Sequence, residues 1–264
     1  MPFTLLSLDI DGTLLAADGT LPPANVKAVQ RVAAQGVRIV LNTGRMVPNI
    51  EPIVDQLGVD PIVCAYNGAK VLAPRSEGRT ALLHKPIAAG HAVQIVEAAM
   101  AASWLLFFYH EDCIYTEFRT GLWERYAPEV NYKIVPLEQL RGLSATKLIA
   151  VSDPAHMDAV REQLVPAVAG LSVVRSESEY MEMMAPGVNK GAVLQFVAEY
   201  AGVPIESCLA MGDGGNDIEM LDVAGLGVAV ANARGDVKAA ADVVIQETAD
   251  DAAVAACIDR YFAR

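Results

Sequence analysis

Short apolar runs that stop at polar, chemistry-bearing residues restrict this chain more than any other feature. Thr4 to Leu8 ends at Asp9, and Cys208 to Met211 ends at Gly212-Asp213. Val37 to Leu41 ends at Asn42-Thr43-Gly44-Arg45, and Ile62 to Ala65 is a further run. Runs of this length, mostly apolar, read as strands buried on both faces of a parallel sheet. Pro22-Pro23 opens a helix carrying Val26, Val29 and Val32, which ends near Gly36, and Val47 to Leu57 reads as another. Asp18-Gly19, lying between Leu14-Leu15 and Thr20-Leu21, predicts a small hairpin. Strand alternating with helix predicts a parallel sheet with helices on both faces.

The pattern changes after about Leu83. Ala88 to Ala102 reads as a helix, Trp104 to Tyr109 as a strand and Ile114 to Thr116 as its hairpin partner. Thr146 to Val151 reads as a strand, Pro154 to Leu164 as a helix, and Leu171 to Ser176 with Tyr180 to Met184 as a strand pair. Paired strands with intervening helices predict an α+β module. Alternation returns after Pro186-Gly187: a helix marked by Val193, Phe196, Val197 and Tyr200, the Cys208 strand, and a helix from Ile218 to Ala224. Strands at Leu226 to Val230 and Val243 to Ile245, then a helix from Asp250 to Phe262, complete it. The expected organisation is an α/β, Rossmann-like doubly wound core from residues 1–83 and 187–264, with an α+β domain inserted at residues 84–186. Proline-bearing linkers would lie near His84-Lys85-Pro86 and Ala185-Pro186-Gly187.

Composition narrows the function. The 264 residues are 53% hydrophobic and 20% charged, which excludes a disordered chain. The net charge of −12 has the sign of phosphate and counts against a broad nucleic-acid face. The strongest apolar run, Trp104 to Tyr109, is far shorter than the ~20 residues a bilayer span needs, so no membrane partner is expected. No basic stretch precedes Phe3 to Leu8, so a secretory signal is not expected. Cys64, Cys113, Cys208 and Cys257 lie far apart and read as buried free thiols of a cytoplasmic protein. With His84, His91, His110 and His156 scattered, no zinc site is expected.

Asp9, Asp11, Asp213 and Asp217 all follow the carboxyl ends of predicted core strands, where open α/β sheets hold ligands. Thr43-Gly44-Arg45 points to the same edge, and Asn189-Lys190-Gly191 starts a helix on re-entry to the core. Two like charges about 4 Å apart cost roughly 4 kcal/mol at an effective dielectric near 20. Such a cluster calls for a cation or for protonation, and an all-oxygen donor set favours Mg²⁺. Lys190 would add positive charge; Thr43 and nearby backbone N–H groups would add anion donors. Together these describe a phosphoryl site.

Four segments then stand in order: Asp9-Ile10-Asp11-Gly12-Thr13, Thr43-Gly44-Arg45, Lys190-Gly191, and Gly212-Asp213-Gly214-Gly215-Asn216-Asp217. With Asn67-Gly68-Ala69 and the late Ala231-Asn232-Ala233, Val237-Lys238 and Ala241-Asp242, the chain resembles the haloacid dehalogenase superfamily of phosphohydrolases. It is most similar to the Cof-type branch, with a type IIB (C2B) cap between the second and third motifs. Asn42 before the Thr-Gly-Arg motif, and the segment Gln246 to Asp251, depart from the usual pattern.

The resemblance implies an Mg²⁺-dependent phosphatase of small phosphorylated metabolites, sugar phosphates first and phosphorylated cofactors next. It implies Asp9 as the nucleophile that forms an aspartyl-phosphate, and Asp11 as general acid and base. It places Mg²⁺ on the Asp9 carboxylate, the Asp11 backbone carbonyl and Asp213, with Asp217 behind them. Thr43, Lys190 and Asn216, with backbone N–H groups near Ile10 and Gly44, would hold the phosphoryl oxygens. Arg45 could contact substrate or form an ion pair that stabilises the core, and Asn67 could bind substrate or only shape a turn. Residues 84–186 would close over the core and set specificity, with Tyr109, His110, Glu111, Asp112, Tyr115, Arg119, Glu177, Glu179 and Glu182 as candidates to read the leaving group. A phosphosugar mutase and a non-catalytic phosphometabolite sensor are the rival readings, and monomer and homodimer both stay open.

Overall fold

A computed structural model of the chain describes residues 3–102, 104–117, 131–164, 166 and 168–262. The candidate Arg119 lies outside these residues, and the side chain of Glu177 is likewise not described. The chain divides into two compact units, one from residues 1–83 and 189–264 and the other from residues 84–188.

The outer unit is built on an eight-stranded sheet. Its strands are β1 (Leu5–Leu8), β2 (Arg38–Asn42), β3 (Ile62–Ala65), β4 (Lys70–Leu72), β5 (Ala81–His84), β12 (Cys208–Gly212), β13 (Leu226–Ala229) and β14 (Val243–Val244), in the order β14-β13-β12-β1-β2-β3-β4-β5. Pairing is parallel from β14 through β3 and turns antiparallel between β3 and β4. β1, β3 and β12 are buried along their whole length, which is why they read as largely apolar runs. The chain winds from β1 outward through β2 and β3, and from β12 outward the other way. Right-handed crossovers therefore put the intervening helices on opposite faces.

Those helices are α1 (Pro23–Ala34), α2 (Val47–Leu57), α5 (Lys190–Ala201), α6 (Ile218–Val223), α7 (Gly235–Ala240) and α8 (Ala253–Tyr261). α1 packs on α2 and α8, whereas α6 packs on α5 and α7. α1 buries Ala28, Val29 and Val32 on its apolar stripe. Asn25 is also wholly buried; its Nδ2 donates to the Leu14 carbonyl at 3.0 Å and its Oδ1 accepts from the Ala255 N–H at 2.9 Å. One amide thus joins the loop after β1, helix α1 and the start of α8.

The inner unit carries a six-stranded sheet in the order β10-β11-β9-β6-β7-β8. Its strands are β6 (Leu105–His110), β7 (Cys113–Thr116), β8 (Tyr132–Ile134), β9 (Lys147–Val151), β10 (Ser172–Glu177) and β11 (Tyr180–Met184), with helices α3 (Ala89–Ala102) and α4 (Met157–Leu164) packed together. All pairings are antiparallel except β7 with β8. Most of the Trp104 to Tyr109 run is strand β6, and it is buried. A buried ion pair, Lys147 to Glu182 at 3.3 Å, joins β9 to β11, with the ammonium 5.0 Å from the Tyr109 ring centre.

Several sequence expectations need correction. No hairpin forms around Asp18-Gly19: the segment makes a tight turn closed by Ala16 and Thr20, and Leu14 and Leu15 go into the core. The expected helix from Pro154 begins as a 3-10 turn, and the one from Asp250 begins at Ala253. Cys113 is only partly buried, unlike the other three thiols. Strands β4, β5 and β8 were not expected from sequence. Among the described residues, no helix is long and apolar enough to cross a membrane.

Asn25→Ala removes a buried side chain and takes its donor from the Leu14 carbonyl, while the Ala255 N–H keeps the Ala252 carbonyl at 2.9 Å. The expected cost is about 2–3 kcal/mol, read as a lower urea midpoint with an unchanged slope. An unchanged midpoint would show that the amide is not a tie.

Candidate active site

Strand order reverses direction at β1, and the carboxyl ends of β1, β2, β3 and β12 bring the motif loops to that point. Lys190 enters as the first residue of α5. The Asn189 side chain caps this helix by accepting the Ala192 N–H at 2.7 Å.

Lys190 is buried, and its Nζ lies 2.5 Å from Asp9 Oδ1 and 2.6 Å from Asp217 Oδ1. Burial opposes the ammonium charge, but Asp217 and Asp9 outweigh it and hold Lys190 above the ordinary lysine range. The lysine can reach this depth because residue 191 is glycine. A Cβ there would collide with the Glu219 carbonyl oxygen of α6. Asp217 uses its other oxygen as a clamp: Oδ2 accepts the N–H groups of Asp213 at 3.0 Å and Gly214 at 2.9 Å, closing the loop after β12.

One ammonium does not balance this site. Asp9, Asp213 and Asp217 each offer a carboxylate oxygen, all within 4.8 Å of one another. Burial raises the Asp9 carboxyl well above its usual range, and repulsion from Asp217 adds to that, against the pull of Lys190. Burial and Asp217 likewise push Asp213 up to about 6, opposed by its hydrogen bond from Thr13 Oγ1 at 2.9 Å. Three oxygen donors with surplus negative charge fit a hard divalent cation. Gly12 has φ +74° and packs on the Asp213 carboxylate so closely that a Cβ there would strike it. Asn232 braces the same loop, donating to the Gly12 carbonyl at 2.7 Å while accepting the Ala249 N–H at 2.8 Å.

The expectation that all four aspartates crowd together is corrected for one of them. The Asp11 side chain is 60% exposed and turns to Arg45, which grips both its oxygens: Nε to Oδ2 at 2.8 Å and Nη2 to Oδ1 at 2.6 Å. Arg45 therefore forms an ion pair, but a largely exposed one and not the core-stabilising pair that was one of its two readings. Thr43 is buried; its Oγ1 accepts the Arg45 N–H at 3.2 Å, which leaves the hydroxyl hydrogen to donate elsewhere. Tyr66, Asn67 and Gly68 follow β3 with φ of 55°, 55° and 100°. From that left-handed segment the Tyr66 N–H reaches the Arg45 carbonyl at 3.0 Å and the Asn67 N–H reaches that of Thr43 at 2.9 Å. Asn67 Oδ1 accepts from Asn216 Nδ2 at 2.9 Å, so Asn67 shapes a turn and also links two motif loops. Ile10 and Gly44 sit within these loops, Ile10 fully buried.

Sequence reasoning missed three contributors. Thr13 and Asn232 belong to segments it quoted but gave no task. Asn42, noted only as a departure, is buried and donates from Nδ2 to the Lys190 carbonyl at 3.0 Å.

The haloacid dehalogenase-like hydrolase family model matches residues 6–258. A pyridoxal phosphate phosphatase of Escherichia coli K12, YbhA, is 30% identical over 95% of this chain and 96% of its own. A 5-amino-6-(5-phospho-D-ribitylamino)uracil phosphatase of Bacillus subtilis, YitU, is 27% identical over 98% of this chain and 97% of its own. A crystal structure of a haloacid dehalogenase-like hydrolase from Bacteroides thetaiotaomicron superposes with a TM-score of 0.87 at 27% identity, covering 98% of this chain and 99% of that one. The chain, an α/β enzyme with its carboxylates at the strand reversal, belongs to the haloacid dehalogenase-like hydrolases.

Proposed function

We propose that this hydrolase is a phosphatase of small phosphorylated metabolites, working through a phosphoryl group carried transiently on Asp9. The observation that carries the reading is the buried Asp9–Lys190–Asp217 bridge beside Asp213. It holds a carboxylate by one oxygen and leaves the other for attack. The names of the relatives above support phosphate esters of sugar-like and cofactor-like compounds as the substrate class.

In this reading Mg²⁺ is held by the carboxylates of Asp9 and Asp213 and the main-chain carbonyl of Asp11, with Asp217 behind them. When bound, the ion supplies positive charge that keeps these carboxylates ionised and offsets charge on the phosphoryl oxygens. Asp9 attacks phosphorus through the oxygen not bound to Lys190. The bond from phosphorus to the ester oxygen breaks, its electron pair leaves on that oxygen, and Asp11 protonates it. Water then attacks the phosphorus on Asp9 and gives its proton to Asp11. The Asp9 carboxylate returns, and inorganic phosphate leaves. Lys190 spends two of its three N–H donors on Asp9 and Asp217 and keeps one for a phosphoryl oxygen. The Thr43 hydroxyl, the Asn216 amide and the backbone near Ile10 and Gly44 complete that cradle.

We assign leaving-group selection to the inner unit, residues 84–188, because the outer unit supplies all the phosphoryl-binding groups named above. The four free cysteines support a cytoplasmic site of action.

Three outcomes test the proposal. Asp9→Asn removes the nucleophile, so phosphate release from a metabolite panel falls at least about a thousandfold, while calorimetric binding of the best substrate persists. Full activity in that variant would falsify the mechanism. EDTA abolishes release and added Mg²⁺ restores it; metal-independent release would remove the cation from the scheme. Lys190→Met leaves Asp9 and Asp217 buried without their cation, and costs about 3–5 kcal/mol of stability. A denaturation midpoint equal to wild type would show that the bridge does not hold the fold.

A further inference from the structure

We infer that Arg45 is a positioning residue for the general acid and base, and not a ligand of the phosphoryl group. The inference rests on the proposed role of Asp11 and adds a task for Arg45. Asp11 stands 60% exposed in the loop after β1, and Arg45 is the side chain that fixes its plane, binding both oxygens at 2.6 and 2.8 Å. A two-point grip sets the direction of a carboxylate, which a single contact leaves free to turn. It occupies one lone pair on each oxygen, so one lone pair per oxygen remains to carry the transferred proton.

Arg45 is itself held from both sides. Its N–H is bound by Thr43 Oγ1, and its carbonyl accepts the Tyr66 N–H from the left-handed segment after β3. A pair this exposed contributes little to stability, and that leaves orientation as its physical effect. Two of the guanidinium's five N–H donors, one on Nε and one on Nη2, are spent on Asp11.

The test uses kcat/KM for phenyl phosphate and for 4-nitrophenyl phosphate, which report the steps up to departure of the leaving group. The two esters are nearly the same size, but phenolate needs the proton far more than nitrophenolate does. In Asp11→Asn the preference for the nitrophenyl ester widens about a hundredfold, the scale of a lost general acid. Arg45→Ala widens it about tenfold, and Arg45→Lys widens it as much as Arg45→Ala, because lysine keeps the charge but lacks the fork. Circular dichroism on each variant confirms folding, and Arg45→Lys alone decides if Arg45→Ala does not fold. Equal losses on both esters with a raised KM, restored by Arg45→Lys, would place Arg45 on the phosphoryl group and overturn the inference. Widening in Asp11→Asn without widening in either Arg45 variant would overturn it while leaving the acid role of Asp11 intact. No widening in Asp11→Asn would overturn that role itself.

Discussion

One buried ammonium bridged to two carboxylates organises the outer unit. Lys190 joins Asp9, at the end of the first strand, to Asp217, which closes the loop after β12. The insertion interrupts the chain between these partners, and Lys190 lies two residues inside the returning half. The bridge is therefore a weld between two halves of one sheet as much as part of a site. Removing charges from water is costly, and the arrangement holds because each group answers another at hydrogen-bond distance. The glycine at 191 lets the helix seat deeply enough for that.

Electrostatics at two scales pull against each other. The chain carries a net charge of −12, and three of its carboxylates share one small volume. Both features disfavour the approach of a phosphate dianion. Lys190 offsets only part of this, so a divalent cation in the oxygen cluster would both settle the carboxylates and admit an anionic substrate.

Much of the fold could be read from the chain, and the exceptions share a cause. β1, β2, β3 and β12 are buried over most or all of their length and leave largely apolar runs. β4 is only three residues long, β5 is buried at none of its four positions, and β8 is three exposed residues, so none leaves a buried apolar run as long as those of the central strands. Asp18-Gly19 does make a turn, but Leu14 and Leu15 find the core before they find each other's strands. In the site, the identities of the carboxylates and of Lys190 were legible because motif spacing carries them. The grip of Arg45 on Asp11 and the link from Asn67 to Asn216 were not. They depend on where loops point: positive φ at Asn67 and Gly68 suits those residue types, but Tyr66 takes it with no sequence signal.

The brace from Asn232 to the Gly12 carbonyl bears on how the protein is made. Synthesis runs from the amino terminus, so the loop holding Asp9 and Asp11 leaves the ribosome long before Lys190, Asp213 or Asn232. Until they arrive, β1 lacks β12, one of its two neighbours in the sheet, and Asp9 lacks the cation it is buried against. The inner unit, contiguous in sequence, can fold meanwhile. The surroundings of Asp9 are therefore completed only when the last third of the chain has been made.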